Sequence, residues 1–338
     1  MTPIDFQAES FNPPRWLRNP HVQTLIGSYL RRTSGLSHRR VRLDTPDEDF
    51  IDLDLIDVDG ATWAQLGDHA PILLFLHGLE GNALKGYATD LYKVAARAGF
   101  RPVGINHRSC SGQMNRQARF YHMGATADVA LAINWLGAQY PDVELYMVGV
   151  SLGGNMTLKY LGERPPEEQA RVTAAAAISP PFVMTGWQTI NEGIGRIYGY
   201  YLLSSLKQKV RQKADLLTGG DADPYRALTA HTLREFDEAI TAPLHGFRDA
   251  DDYYGSSHSI NFLAGVRVPT LLLRAQDDPF FNLDIPHETI VGNDCLHGLF
   301  PAHGGHVGFI EGAHHKQTRW AQRQVLRFFQ AVQRAGIA

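Results

Sequence analysis

The sequence predicts an α/β fold: a mostly parallel central sheet flanked by helices, with a helical insertion seated over it. Three observations carry that prediction. Short apolar runs alternate with amphipathic stretches along most of the 338 residues, the rhythm of strand–helix units joined by right-handed crossovers. Some runs, such as Ile72-Leu73-Leu74-Phe75-Leu76, are apolar without alternation, as strands covered on both faces are. The rhythm then lapses from Phe182 to Leu263, where no convincing strand occurs.

The elements follow in chain order. Residues 1–40 read as an irregular segment, because Pro13, Pro14 and Pro20 interrupt any helix, with Trp16, Leu17 and Leu25 available to pin it onto the body. Ile51, Leu53 and Leu55 alternate with Asp52 and Asp54, the period of a half-buried strand. The run Ile72–Leu76 is a buried strand ending in His77-Gly78. Leu91, Val94, Ala95 and Ala98 then share a helical face closed by Gly99. Pro102–Ile105 is a short strand, and Ala125–Gln139 a helix with Val129, Ala132, Ile133 and Leu136 facing inward. Leu145–Val150 is a strand and Leu152–Leu161 a helix. Val172–Ile178 reads as a strand despite its alanines, and Val268–Leu273 as a clearer one. The last helix sets Ala321, Val325, Phe328 and Val332 on one face. Within the insertion, Trp187, Ile190, Ile194, Ile197 and Tyr201 recur at helical spacing. The core is therefore expected to comprise residues 41–181 and 264–338, and the insertion residues 182–263.

Composition removes several classes of function. At 44% hydrophobic and 20% charged residues the chain is not disordered. Lys and Arg number 32 against 35 Asp and Glu, a net charge of −3 with no block of like charge, so no electrostatic pull toward nucleic acid is expected. Two cysteines, Cys110 and Cys295, make no disulfide framework and fit a reducing, cytoplasmic compartment. No apolar stretch is long enough for a transmembrane segment, and Met1–Asn12 lacks the basic start and apolar run of a signal peptide.

The sharpest chemical signal is Gly149-Val150-Ser151-Leu152-Gly153, with an apolar strand before it and a helix after it. A turn this sharp needs small residues two places either side of the serine, where side chains would strike the neighbouring strand and helix. It raises Ser151 Oγ above the sheet edge and sets the Leu152 N–H at a helix N-terminus, where it can stabilise an oxyanion. A serine hydroxyl alone is a weak nucleophile; it needs a base, and the base needs an orienting acid. In this architecture the acid and then the histidine follow the serine in the chain. The Val268–Leu273 strand leads into Ala275-Gln276-Asp277-Asp278-Pro279, and His303-Gly304-Gly305-His306 lies in a glycine-rich loop before the last helix. Asp277 and Asp278 follow the same strand, so composition leaves the acid open between them. A second oxyanion donor is expected from His77-Gly78-Leu79-Glu80-Gly81, with Gly78 letting the Leu79 N–H turn toward the site.

Competing patterns fail. Gly193-Ile194-Gly195 follows no strand and has Tyr198 where a dinucleotide fingerprint needs its third glycine. The serine turn lacks the Gly-Lys of a phosphate loop. His303, His306, His314 and His315 have neither cysteines nor an H-E-x-x-H pattern beside them, so no metal and no cofactor are expected. No sharp turn surrounds Cys110 to make it a nucleophile.

A wider set of motifs runs nearly end to end: Phe11-Asn12-Pro13-Pro14-Arg15-Trp16-Leu17 with His21-Val22-Gln23-Thr24, the His77–Gly81 block, Asn106-His107-Arg108-Ser109-Cys110-Ser111-Gly112, the serine turn with Gly154-Asn155, Asp277-Asp278-Pro279-Phe280, and His303-Gly304-Gly305-His306-Val307-Gly308-Phe309. Together they resemble the YheT-like esterase family of α/β-hydrolases, which is related to yeast medium-chain ester synthases/hydrolases and animal abhydrolase-domain lipases. One departure is Ser109, where the family usually reads glycine. The resemblance implies an α/β-hydrolase fold and a triad of Ser151, Asp278 and His306. In such hydrolases the acid lies three residues after the small residue ending its strand, here Ala275, which points to Asp278. Pro279 biases Asp278 toward an extended geometry, leaving Asp277 as a solvated or loop-bracing carboxylate.

The expected activity is hydrolysis of short- to medium-chain carboxylic esters, with a small-molecule ester as partner. Acyl transfer to an alcohol through the same triad is the nearest alternative, and a peptidase is a more distant one. A non-catalytic binding protein on a hydrolase fold is another, opposed by the complete Ser–Asp–His order. The insertion is expected to form an apolar lid that binds the acyl chain through Trp187, Ile190, Ile194 and Tyr201.

Overall fold

Eight strands form one sheet in the order β1-β2-β4-β3-β5-β6-β7-β8. They are β1 (Leu36–Asp44), β2 (Phe50–Val58), β3 (Ile72–Leu76), β4 (Arg101–Asn106), β5 (Leu145–Val150), β6 (Ala174–Ile178), β7 (Thr270–Leu273) and β8 (Leu296–Leu299). β2 runs antiparallel to β1 and β4, and every other neighbouring pair is parallel. The computed structural model describes residues 4–29, 34–184, 190, 192–218, 220–281, 285–312 and 318–336. The longer helices among them are α1 (Gly86–Arg97), α2 (Thr126–Gln139), α3 (Leu152–Glu163), α4 (Gly195–Gln212), α5 (Ala250–Ser257) and α6 (Trp320–Arg334).

The sheet is apolar on both faces because alternate side chains of each strand enter different cores. Ile72, Leu74 and Leu76 of β3 join Met147 and Leu272 against Val129, Ile133 and Met156 of α2 and α3. Leu73 and Phe75 join Tyr146 and Val148 against Leu91, Val325 and Phe328 of α1 and α6. β6 is built on Ala174-Ala175-Ala176-Ala177, all fully buried, so packing overrides their weak strand propensity. The crossovers leave the C-terminal ends of β3, β5 and β7 on one edge, where ligands bind in open α/β sheets.

Three expectations need correction. The first forty residues are not irregular throughout. Pro20 occupies the first position of a one-turn helix, Pro20–Thr24, capped by Asn19, whose side chain accepts from the N–H groups of His21 and Val22. A proline there lacks only an N–H that has no helical partner anyway. β1 then begins at Leu36. Leu17 is buried, whereas Trp16 and Leu25 are each 39% exposed.

β2 is not half-buried either. Asp52 and Asp54 are buried, and each takes a bidentate pair from β1: Arg42 on Asp52 at 2.8 and 2.9 Å, Arg40 on Asp54 at 2.7 and 2.9 Å. Forked guanidinium pairing makes the burial of these carboxylates tolerable.

The segment between β6 and β7 is helical, with no strand among its described residues. Its apolar face differs from the expected one. α4 starts at Gly195 and buries Tyr198, Leu202, Leu203 and Val210, whereas Ile194 and Ile197 are 53% and 64% exposed. Helical spacing reveals a helix but does not select among several apolar stripes. Among the described residues no helix is long and apolar enough to cross a membrane.

Candidate active site

Ser151 sits between β5 and α3 at φ +55, a region that side chains rarely adopt. Steric crowding explains the glycines around it. A Cβ on Gly149 would come within 2.2 Å of the Gly153 carbonyl oxygen, and one on Gly153 within 2.3 Å of the Leu76 carbonyl oxygen. The loop after β3 lies against the serine, since a Cβ on Gly78 would stand 3.0 Å from Ser151 Cβ.

His77 braces that loop. It is fully buried; its Nε2 accepts the His107 N–H at 3.3 Å, so Nδ1 carries the proton and donates to the Gly78 carbonyl at 2.8 Å. Burial holds its pKa well below the ordinary histidine value, and the ring stays neutral. Leu79 lines the pocket. Leu152 opens α3, where an N–H has no acceptor within the helix.

His306 Nε2 lies 2.9 Å from Ser151 Oγ, and its Nδ1 lies 2.9 Å from Asp278 Oδ2. The other Asp278 oxygen accepts the Phe280 N–H at 2.9 Å. With Asp278 as the acceptor the ring proton is assigned to Nδ1, which leaves Nε2 to accept from the serine hydroxyl. Asp278 and His306 are 7% and 4% exposed, little screened by water. Phe280 stacks on the imidazole at 4.1 Å and 8°, and Phe281 meets it edge-on at 5.4 Å.

Asp277 faces elsewhere. It accepts the Gly305 N–H at 2.9 Å and contacts His303 Nδ1 at 3.2 Å, and burial pushes its pKa upward. Neither His303 nor Asp277 is joined to Ser151.

The N-terminal segment closes the site from behind. Thr24 Oγ1 accepts the His306 N–H at 2.9 Å and donates to the Pro20 carbonyl at 2.7 Å. Gln23 Nε2 donates to the Ile310 carbonyl at 2.9 Å, and its Oε1 accepts the Ile310 N–H at 2.9 Å. The fit is close, because a Cβ on Gly305 would stand 2.4 Å from the Pro20 carbonyl oxygen. Sequence reasoning missed Gln23 and Thr24. They stood inside a recognisable block, but no local pattern names a partner 282 residues away.

The pocket over Ser151 and His306 opens to solvent, with Leu79, Val150, Tyr201, Leu202, Phe280 and Val307 on its walls. Of the four residues expected to meet an acyl chain, Tyr201 lines it. Ile190 is fully buried against a different cavity, beside Leu203, and Ile194, at the start of α4, is mostly exposed. Trp187 lies outside the described residues. Among the described residues no three His, Cys, Asp or Glu side chains are grouped to hold a metal ion.

A family model described as alpha/beta hydrolase fold matches residues 71–203. The chain is 33% identical over 324 residues to the putative esterase YheT of Escherichia coli, covering 93% of this chain and 91% of that one. It is 29% identical to mouse phospholipase ABHD3 over 96% of this chain and 79% of that one. It is also 29% identical to a monoacylglycerol lipase of Saccharomyces cerevisiae, over 77% of this chain and 59% of that one. Among solved structures, an esterase of Pyrococcus furiosus superposes with a TM-score of 0.56 at 14% identity, covering 97% of this chain and 99% of that one, a likeness of fold.

Proposed function

The chain belongs to the α/β-hydrolase family, in the group of the YheT esterase, and from that membership we propose that it is a serine carboxylesterase for short- to medium-chain esters. Ser151 is the nucleophile, His306 the general base and Asp278 the orienting acid. The observation that carries the reading is the unbroken pair of 2.9 Å hydrogen bonds from Ser151 through His306 to Asp278.

His306 Nε2 takes the hydroxyl proton as Ser151 Oγ attacks the ester carbonyl carbon. The oxyanion develops beside the Leu79 and Leu152 N–H groups, whose orientation costs no reorganisation during the step. Asp278 stabilises the imidazolium and keeps its ring in register. His306 then protonates the leaving alkoxide, and water repeats the sequence on the acyl-enzyme. The helices between β6 and β7 act as a lid, with Tyr201 and Leu202 of α4 meeting the acyl chain. Relatives named esterase, phospholipase and monoacylglycerol lipase favour an ester of a fatty acyl group as substrate.

A panel of p-nitrophenyl esters from acetate to palmitate, turned over by wild type and Ser151→Ala, tests the reading. The variant is expected to lose ~10⁴-fold or more in kcat while remaining folded. For wild type, kcat/KM is expected to rise from acetate toward octanoate, by at most ~0.8 kcal/mol for each buried methylene. Near-wild-type turnover by folded Ser151→Ala overturns the nucleophile assignment, and a flat profile overturns the acyl-binding lid. Product analysis with added ethanol separates hydrolysis from acyl transfer.

A further inference from the structure

Glu80 follows Leu79 in the loop after β3 and adopts φ +54, a conformation that favours glycine. Several groups hold it there. Its N–H donates to Tyr121 Oη at 2.7 Å, and the Tyr121 hydroxyl donates back to Glu80 Oε1 at 3.0 Å. Ser205 Oγ donates to Oε2, and Lys209 Nζ donates to Oε1 at 2.7 Å. The Glu80 side chain is 2% exposed and that of Lys209 14%, so solvent screens this pair little. Lys209 is itself anchored to the core, with Nζ 3.2 Å from Cys110 Sγ and above the Tyr121 ring.

Ser205 and Lys209 belong to α4, on the same stripe as Tyr201, at successive steps of four residues. Tyr201 lines the pocket. One face of one insertion helix thus touches the substrate space and grips the residue next to the proposed oxyanion donor. The geometry points to Glu80 as a positioning residue, clamped by Ser205 and Lys209 so that α4 sets the aim of the Leu79 N–H. This rests on the serine-esterase reading above. Glu80 borders the same pocket as Ser151 and acts as a positioning residue, since holding it fixes the Leu79 backbone and with it the Gly78–Leu79 peptide that carries the N–H. If Lys209 is lost, a buried carboxylate is left without its cation, the loop relaxes, and a donor stabilising the transition state goes out of line.

Active-site titration separates positioning from plain structural support. A structural role lowers the number of sites that react with a fluorophosphonate but leaves each at full speed. Lys209→Met, Glu80→Gln and Ser205→Ala are to be titrated this way and assayed on p-nitrophenyl acetate, with Lys209→Arg as the conservative replacement. Expected is a kcat per titrated site roughly tenfold or more lower in Lys209→Met and Glu80→Gln, and about threefold lower in Ser205→Ala, with KM within threefold. Affinity for a trifluoromethyl ketone, which mimics the oxyanion, should fall by the same factor, and Lys209→Arg should recover most of both. If Lys209→Met does not fold, Glu80→Gln and Ser205→Ala carry the test. A kcat per titrated site within twofold of wild type in Glu80→Gln and in whichever other variants fold overturns the clamp. Persistent fluorophosphonate labelling of Ser151→Ala would instead overturn the serine reading itself. Loss of that labelling alongside unchanged clamp variants sinks the clamp alone.

Discussion

Asp277 and Asp278 are chemically identical neighbours whose partners differ. Asp278 shares a proton axis with His306, whereas Asp277 ties down the Gly305 N–H and His303. In the proposed mechanism Asp278→Asn favours the wrong imidazole tautomer and should cost ~10⁴-fold in kcat. Asp277→Asn keeps an acceptor for Gly305 and should cost far less; kcat of the two purified variants decides, and a crippled Asp277→Asn reverses the assignment. Two histidines outside the proposed triad carry a different consequence. Burial depresses the pKa of His107 to about 4 and of His245 to about 3, and neither ring nitrogen of His245 has a partner among the described residues. The unfolded chain protonates these rings near pH 6.5, while the folded state refuses the protons down to about pH 4 or 3. Their contribution is therefore intact above about pH 6.5 and lost progressively as pH falls below it. His245→Phe, which keeps a ring against His122, should raise the urea midpoint relative to wild type more at pH 5 than at pH 8. Equal shifts at both pH values would contradict this account.

Among the elements, α3 is held at both ends by close backbone approaches. Its first turn is fixed by the glycines around Ser151, and its last by a backbone crossing near Phe262. A Cβ on Gly162 would come within 1.9 Å of the Phe262 carbonyl oxygen, and one on Gly265 within 2.1 Å of the Gly162 carbonyl oxygen. Gly162 lies far along the helix from Ser151, so overpacking there should strain the fold more than the chemistry. Gly162→Ala is expected to lower stability by ~1–3 kcal/mol with kcat within a few-fold of wild type. Urea denaturation and turnover check it, and unchanged stability would show that the crossing yields. Elements differed in how far pattern alone exposed them. β3, β5 and α2 were legible because unbroken apolar runs and a clean helical period each admit one reading. The burial of β2 was not, because the pairing that hides Asp52 and Asp54 comes from Arg40 and Arg42 on another strand.

At the scale of the whole molecule, the two ends of the chain meet at the site. The Pro20–Thr24 turn holds the His306 loop through Thr24 and Gln23, and this loop carries Val307 at φ +63, unusual for a β-branched residue. Thr24→Val removes the acceptor of a buried N–H, a loss of ~1–3 kcal/mol, and should lower kcat by roughly tenfold as His306 drifts from Ser151. Thermal unfolding and kcat are the measurements, and a variant unchanged in both would show that the segment is only a cover. The sequence alone marked six of the eight sheet strands, the helices that pack on them, and the strained turn at Ser151 with candidate acids and histidines following it in order. These follow from periodicity, glycine sterics and motif order, all of which act over a few residues or along the chain. The tertiary structure alone decided which stripe of α4 is buried, that Ile190 and Ile194 stand away from the pocket, that Thr24 reaches His306, and that Glu80 is gripped from the insertion. These depend on contacts between residues tens to hundreds of positions apart, and no short-range pattern encodes which distant surface a side chain will meet.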